Sequence, residues 1–107
     1  MKVLINTDNN IQGDEDLGEY LEGVVEGALS HLSAEITRVE VHIQDENGPK
    51  EGADDIRCMM EARVKGLKPT AVTHHAENVH EAANGAARKL QSALESKLGK
   101  RRDQAQS

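Results

Sequence analysis

"ITRVEVHIQD" (36–45) sets Val39, Val41 and Ile43 on one side of an extended chain and Arg38, Glu40, His42 and Gln44 on the other. A two-residue alternation of this kind is the mark of a strand with one face buried and one face wet. "IRCMMEARVK" (56–65) repeats it, with Ile56, Cys58, Met60, Ala62 and Val64 opposite Arg57, Met59, Glu61, Arg63 and Lys65. Between them "ENGPKEGAD" (46–54) is polar, rich in turn residues and too long for a tight hairpin. Downstream, Gly66 makes a short turn, and Pro69 at the entrance to "TAVTHHA" (70–76) suits an edge strand. Upstream, "KVLINT" (2–7) is short, apolar and β-branched, a further strand.

Two helical stretches complete the pattern. Gly13 breaks the first strand, and Asp14 can cap a helix whose first turn, "DEDL" (14–17), is acidic as the helix dipole prefers. Leu17, Leu21, Val24, Ala28 and Leu32 recur at spacings of three and four, and Gly18, Gly23 and Gly27 imply close helix packing. The second helix is expected from Asn78 to Leu98, with Val79, Ala82, Ala83, Ala86, Leu90, Ala93, Leu94 and Leu98 buried. Asn78 and Glu81 have capping-box spacing, and Gly99 reads as the C-cap. The order is β-α-β-β-β-α, an α+β fold with a four-stranded sheet and two helices packed on one face. Residues 1–99 form a single domain, and 100–107 a short basic, then polar, tail. The expected core includes Val39, Val41, Ile43, Ile56, Met60 and Val72.

Composition narrows the function. With 107 residues, 36% hydrophobic and 30% charged, the chain suits one soluble domain, and Tyr20 is its only aromatic side chain apart from histidine. No apolar run approaches a membrane span, no signal-peptide pattern opens the chain, and the lone Cys58 fits a reducing compartment, so a cytoplasmic location is expected. The net charge of −6 is uneven: residues 1–35 carry eight carboxylates against Lys2, while residues 36–107 carry twelve Lys and Arg against eleven Asp and Glu.

"HHAENVHEA" (74–82) crowds three histidines together. His74 and His75 are consecutive in a strand and point to opposite faces, His74 on the side of Val72. They do not converge on one ion, and no Cys-x-x-Cys or His-Glu-x-x-His pattern accompanies them. "DENG" (45–48) lacks calcium-loop spacing, and no phosphate loop or nucleophile elbow is present. The expectation is solvent-facing imidazoles, no metal, no cofactor, an inert core thiol at Cys58, and no enzyme activity or small-molecule substrate.

With the elements placed, "INTDNNI" (5–11), "ITRVEVHIQDENG" (36–48) and "AENVHEAANGAARKLQSAL" (76–94) resemble the ribosome hibernation-promoting factor family, also called ribosome-associated inhibitors or sigma-54 modulation proteins. The resemblance runs from residue 2 to 98 and suits a short form, without the C-terminal extension of longer members. It implies a fold like a double-stranded RNA-binding domain. It also implies binding of the small ribosomal subunit and its RNA in the mRNA and tRNA channel, silencing idle ribosomes. Such members line both helices with Lys and Arg; here the first helix offers Glu19, Glu22 and Glu26 instead.

The expected RNA-binding residues are therefore Arg88, Lys89 and Lys97 of the last helix, continued by Lys100, Arg101 and Arg102, with Arg38, Arg57, Arg63 and Lys65 of the sheet as secondary candidates. Phosphate and shape contacts are the expected mode, since no exposed Phe, Trp or Tyr is expected for base stacking. The protein is expected to be monomeric off the ribosome. Affinity is expected to rise as pH falls through the histidine range. The alternative is a protein-interaction module on the same scaffold, working through the acidic first helix with ribosome binding weakened or lost.

Overall fold

A computed structural model of the chain describes residues 1–8, 11, 13–46 and 55–106, with side chains up to residue 100. The expected loop at 46–54 and the side chains of Arg101, Arg102 and the tail lie outside this description, Glu46 excepted. The elements are β1 (Lys2–Thr7), α1 (Glu15–Leu29), a 3-10 turn (Ser30–Leu32), β2 (Ile36–Asp45), β3 (Ile56–Val64), β4 (Thr70–Ala76) and α2 (Val79–Gln106). The sheet order is β1-β2-β3-β4, with β1 parallel to β2 and the other pairs antiparallel. The parallel pair follows from the helical crossover through α1, and the antiparallel ones from direct returns. Pro69 precedes edge strand β4, where a missing N–H is harmless.

The alternation carries through to the core. Val39, Val41 and Ile43 of β2 and Ile56, Cys58, Met60, Ala62 and Val64 of β3 are buried beneath the helices. Val72, on the edge, is only partly covered. A register shift between Ile36 and Arg38 lets Ile36 turn inward as well, although an odd spacing separates it from Val39. The outward set, Arg38, Glu40, His42, Gln44, Arg57 and Glu61, keeps to the opposite face.

Both helix starts are capped as their sequences imply. The Asp14 carboxylate accepts from Leu17 N–H at 2.9 Å, and Asn78 Oδ1 accepts from Glu81 N–H at 2.8 Å. The buried row of α1 is Leu21, Val25 and Leu29, with Val24 and Ala28 at its margin. The larger side chains at the i, i+4 positions take the centre, which displaces the expected 17/21/24/28 stripe by part of a turn. The helix glycines also depart from expectation. A Cβ at Gly18, Gly23 or Gly27 would meet nothing within 4 Å, so none supports close packing. Gly23→Ala and Gly27→Ala should each stabilise the fold by about 0.5–1 kcal/mol, read as a raised urea midpoint, because they remove backbone entropy without a clash.

Gly99 does not end α2. The helix runs through it to Gln106, about 42 Å in all, against about 23 Å for the seven residues of β4. Nothing lies within 4 Å of a Cβ at Gly99, so no contact forces a turn there. Among the described residues no helix is long and apolar enough to cross a membrane.

Cys58 is fully buried. Burial pushes its thiol from the ordinary 9.0 up to about 12, against a smaller opposing pull from Arg57, because a thiolate there would lose its hydration. The native thiol should resist alkylation at pH 8 and react only on unfolding. Because the folded value is raised, this stabilisation is complete below about pH 9 and declines as pH rises towards 12. Urea midpoints from pH 8 to 10 should therefore fall more steeply for the wild type than for Cys58→Ala.

Candidate nucleic-acid interface

α2 runs back along β4, and successive contacts mark its course. Gly85 lies against His74, Lys89 Nζ donates to the Thr73 carbonyl at 2.9 Å, and Lys97 Nζ donates to Thr70 Oγ1 at 2.7 Å. The period of the helix brings these residues round to one side in turn. Both lysines bond neutral oxygens, and neither makes an ion pair among the described residues. Lys89 also covers a carbonyl of the edge strand, which protects that edge from pairing with another chain. Arg88, exposed one position earlier, makes no ion pair among the described residues. Lys89 and Lys97 thus line β4, Arg88 adds a cation from the neighbouring exposed row of His80 and Asn84, and exposed Lys100 lies further along the helix.

The sheet cations stand differently. Arg38 faces Arg63 across β2 and β3, and Glu40 faces Glu61 in the next row. Like charges directly opposite repel, and each arginine leans along its strand towards a carboxylate. Arg38 reaches Glu40 at 3.8 Å, Arg63 reaches Glu61 at 3.9 Å, and Arg57 reaches Glu46 at 3.7 Å. Such half-exposed pairs contribute about 0–1 kcal/mol, but they largely cancel the positive potential of the face. Exposed Lys65 lies just beyond β3. The sequence-derived set therefore divides into a basic α2 margin and a near-neutral outer sheet.

The three histidines share a groove. His74, His75, Ala76, His80, Glu81, Asn84 and Arg88 line a space of about 410 Å³ between the end of β4 and the start of α2. The expectation of uniformly solvent-facing imidazoles fails at His74, which is half-buried with its ring where a Cβ at Gly85 would sit. His75 bonds Glu46 at 3.1 Å, and His80 meets Tyr20 edge-on with ring centroids 4.3 Å apart. Tyr20 is exposed beside His80, against the expectation of no exposed Tyr, because α1 turns it outward from the core row of Leu21 and Val25. Asn84 Nδ2 donates to the Tyr20 hydroxyl at 2.8 Å and to the His80 carbonyl at 2.7 Å. Among the described residues no group of three or more His, Cys, Asp or Glu is placed to hold a metal ion. The signal for this groove lay in the i, i+4, i+8 row of His80, Asn84 and Arg88, beside a glycine that admits a ring.

The exposed face of α1 carries Glu15, Asp16, Glu19, Glu22 and Glu26, none in an ion pair among the described residues. The His31 ring, beside the end of α1, bonds Glu95 of α2 at 2.9 Å and holds that carboxyl below its usual range.

Comparison with known proteins gives this geometry a context. The N-terminal domain of Protein Y from Thermus thermophilus shares the fold with a TM-score of 0.69 at 14% identity, over 88% of this chain and 96% of that one. A ribosomal subunit interface protein from Coxiella burnetii superposes with a TM-score of 0.71 at 11% identity, covering 92% and 99% of the two chains. A search of curated protein sequences returned no match. The family model described as sigma 54 modulation protein / S30EA ribosomal protein matches residues 4–102. The chain belongs to that family.

Proposed function

We propose that this protein associates with the ribosome and binds RNA of the small subunit through the α2 margin beside β4, occluding the path of mRNA and tRNA and so holding idle ribosomes inactive. Family membership supports a ribosomal partner, and one observation carries the choice of face. Arg88, Lys89 and Lys97, all exposed on α2, make no ion pair among the described residues, while the sheet arginines lie within 4 Å of carboxylates. Phosphates dominate the affinity of such contacts, and a free cation releases more counterions than a paired one. The protein acts by occupancy, with no chemical step. Filter binding of tRNA to small subunits pre-incubated with this protein tests the reading. Exclusion of tRNA in proportion to bound protein is expected; undiminished tRNA binding on saturated subunits would refute occlusion.

The carboxylates of α1, in no ion pair among the described residues, favour a second reading, a module that docks a basic protein through that helix. Glu22→Lys with Glu26→Lys separates the two. The double substitution strengthens subunit binding if α1 also faces RNA, leaves it unchanged if α1 faces solvent, and abolishes partner capture if α1 is the docking face.

A further inference from the structure

The groove at the start of α2 has a composition that neither a metal site nor a bare electrostatic patch explains. Its donors are the Arg88 guanidinium and the imidazoles of His74, His75 and His80. Its acceptors are the Glu81 carboxylate and the Asn84 side-chain carbonyl, since both Asn84 amide hydrogens are directed to the Tyr20 hydroxyl and the His80 carbonyl. At about 410 Å³ it falls within the roughly 300–1,000 Å³ typical of small-ligand sites. A simple oxyanion would use the donors and meet the acceptors unfavourably. A hydroxylated sugar carrying a phosphate would use both.

We propose that this groove binds one ribonucleotide unit, its phosphate on Arg88 and the imidazoles and its ribose hydroxyls on Asn84 and Glu81. Gly85 makes the site possible, because only the missing Cβ lets the His74 ring lie against α2. Tyr20 holds His80 and Asn84 from the side of α1. The inference rests on the RNA-binding reading and sharpens it, giving the edge a pocket that distinguishes RNA from DNA through the 2′-hydroxyl.

The groups around the imidazoles are Glu81 and Arg88 from α2, Tyr20 from α1, Cys58 and Arg57 opposite His74 and His75 in β3, and Glu46 after β2. Glu46 bonds His75 directly, which leaves the His74 and His80 rings beside Arg88 as the imidazoles without a carboxylate partner among the described residues.

Amide NMR of the full-length labelled protein tests this with three probes: 5′-AMP, its 2′-deoxy counterpart and inorganic phosphate. AMP is expected to shift the amides of residues 74–76 and 80–88 with a millimolar dissociation constant, about threefold or more tighter than the other two probes. Arg88→Gln should abolish those shifts, and Asn84→Ala should make AMP and deoxy-AMP equivalent, each variant reporting its own fold in the same spectrum. No groove shifts up to about 10 mM, or equal shifts from all three probes, would overturn the proposal. A short oligoribonucleotide giving the same shifts at lower concentration supports it and names RNA as the source. AMP binding as tightly as the oligomer supports it and names a free nucleotide. Pelleting with small subunits is scored separately. Intact pelleting without groove shifts overturns the groove alone, and groove shifts without pelleting overturn the ribosomal reading alone.

Discussion

Leu94→Ala should destabilise the domain by about 2–5 kcal/mol, a large share of the roughly 5–15 kcal/mol that holds a domain together. Leu94 is fully buried, in one core with Leu90, Leu98 and the α1 residues Leu21, Val25 and Leu29. Most of the other buried α2 side chains are alanines, and no Phe or Trp is present to compensate. The loss therefore leaves a cavity between helix and sheet that small neighbours cannot fill without moving the helix. Urea denaturation gives the number directly. Ser92→Ala, on the exposed side of the same helix, should stay within about 0.5 kcal/mol of wild type. A loss below about 1 kcal/mol at Leu94 would mean that α2 does not seat on the sheet as described.

The triple variant Arg88→Ala, Lys89→Ala, Lys97→Ala should bind small subunits about 100-fold more weakly at low salt, taking about 1 kcal/mol for each phosphate contact. The log–log salt slope should flatten by about two units, since each lost contact removes somewhat less than one released counterion. Arg38→Ala with Arg63→Ala should have the smaller effect, because each of those cations has a carboxylate within 4 Å that already offsets part of its field. Lys89 and Lys97 also bond β4, so the stability of the triple variant must be measured beside its binding. A loss of binding with the melting transition intact assigns the effect to RNA contact.

Period and punctuation made the architecture legible. Strict alternation in 36–45 and 56–65 placed the core face of the sheet, and Asp14 and Asn78 marked the helix starts because a side-chain acceptor for an orphan N–H is a local interaction. Where tertiary packing competed with local pattern, the sequence was a poorer guide. Gly99 resembles a cap, yet continued helix geometry carries α2 past it. The glycines of α1 suggested close packing and meet open space, whereas Gly85, unremarked in the sequence, receives the His74 ring. The basic residues were ranked from the sequence, the last helix ahead of the sheet, but without a physical ground for the order. That ground is tertiary: Arg38, Arg57 and Arg63 sit beside glutamates while Lys89 and Lys97 rest on neutral oxygens. The histidine groove was hidden because opposite strand faces separate His74 from His75, and only the helix start and the end of the edge strand together bring them around one space.

The central claim is that the α2 margin, and not the acidic α1, meets ribosomal RNA. Site-specific crosslinking tests it most directly, and with Cys58 buried and its thiol pushed up by burial, an introduced surface thiol is the accessible target for a photoactivatable label. Ser92→Cys places the label between Lys89 and Lys97 on the exposed surface of α2, and Glu22→Cys places it on the exposed face of α1. Each labelled protein is bound to small subunits, irradiated, and scored for covalent attachment to RNA. Strong crosslinks to small-subunit RNA from position 92 with few from position 22 are the predicted result; crosslinks from position 22 with none from position 92 would contradict it.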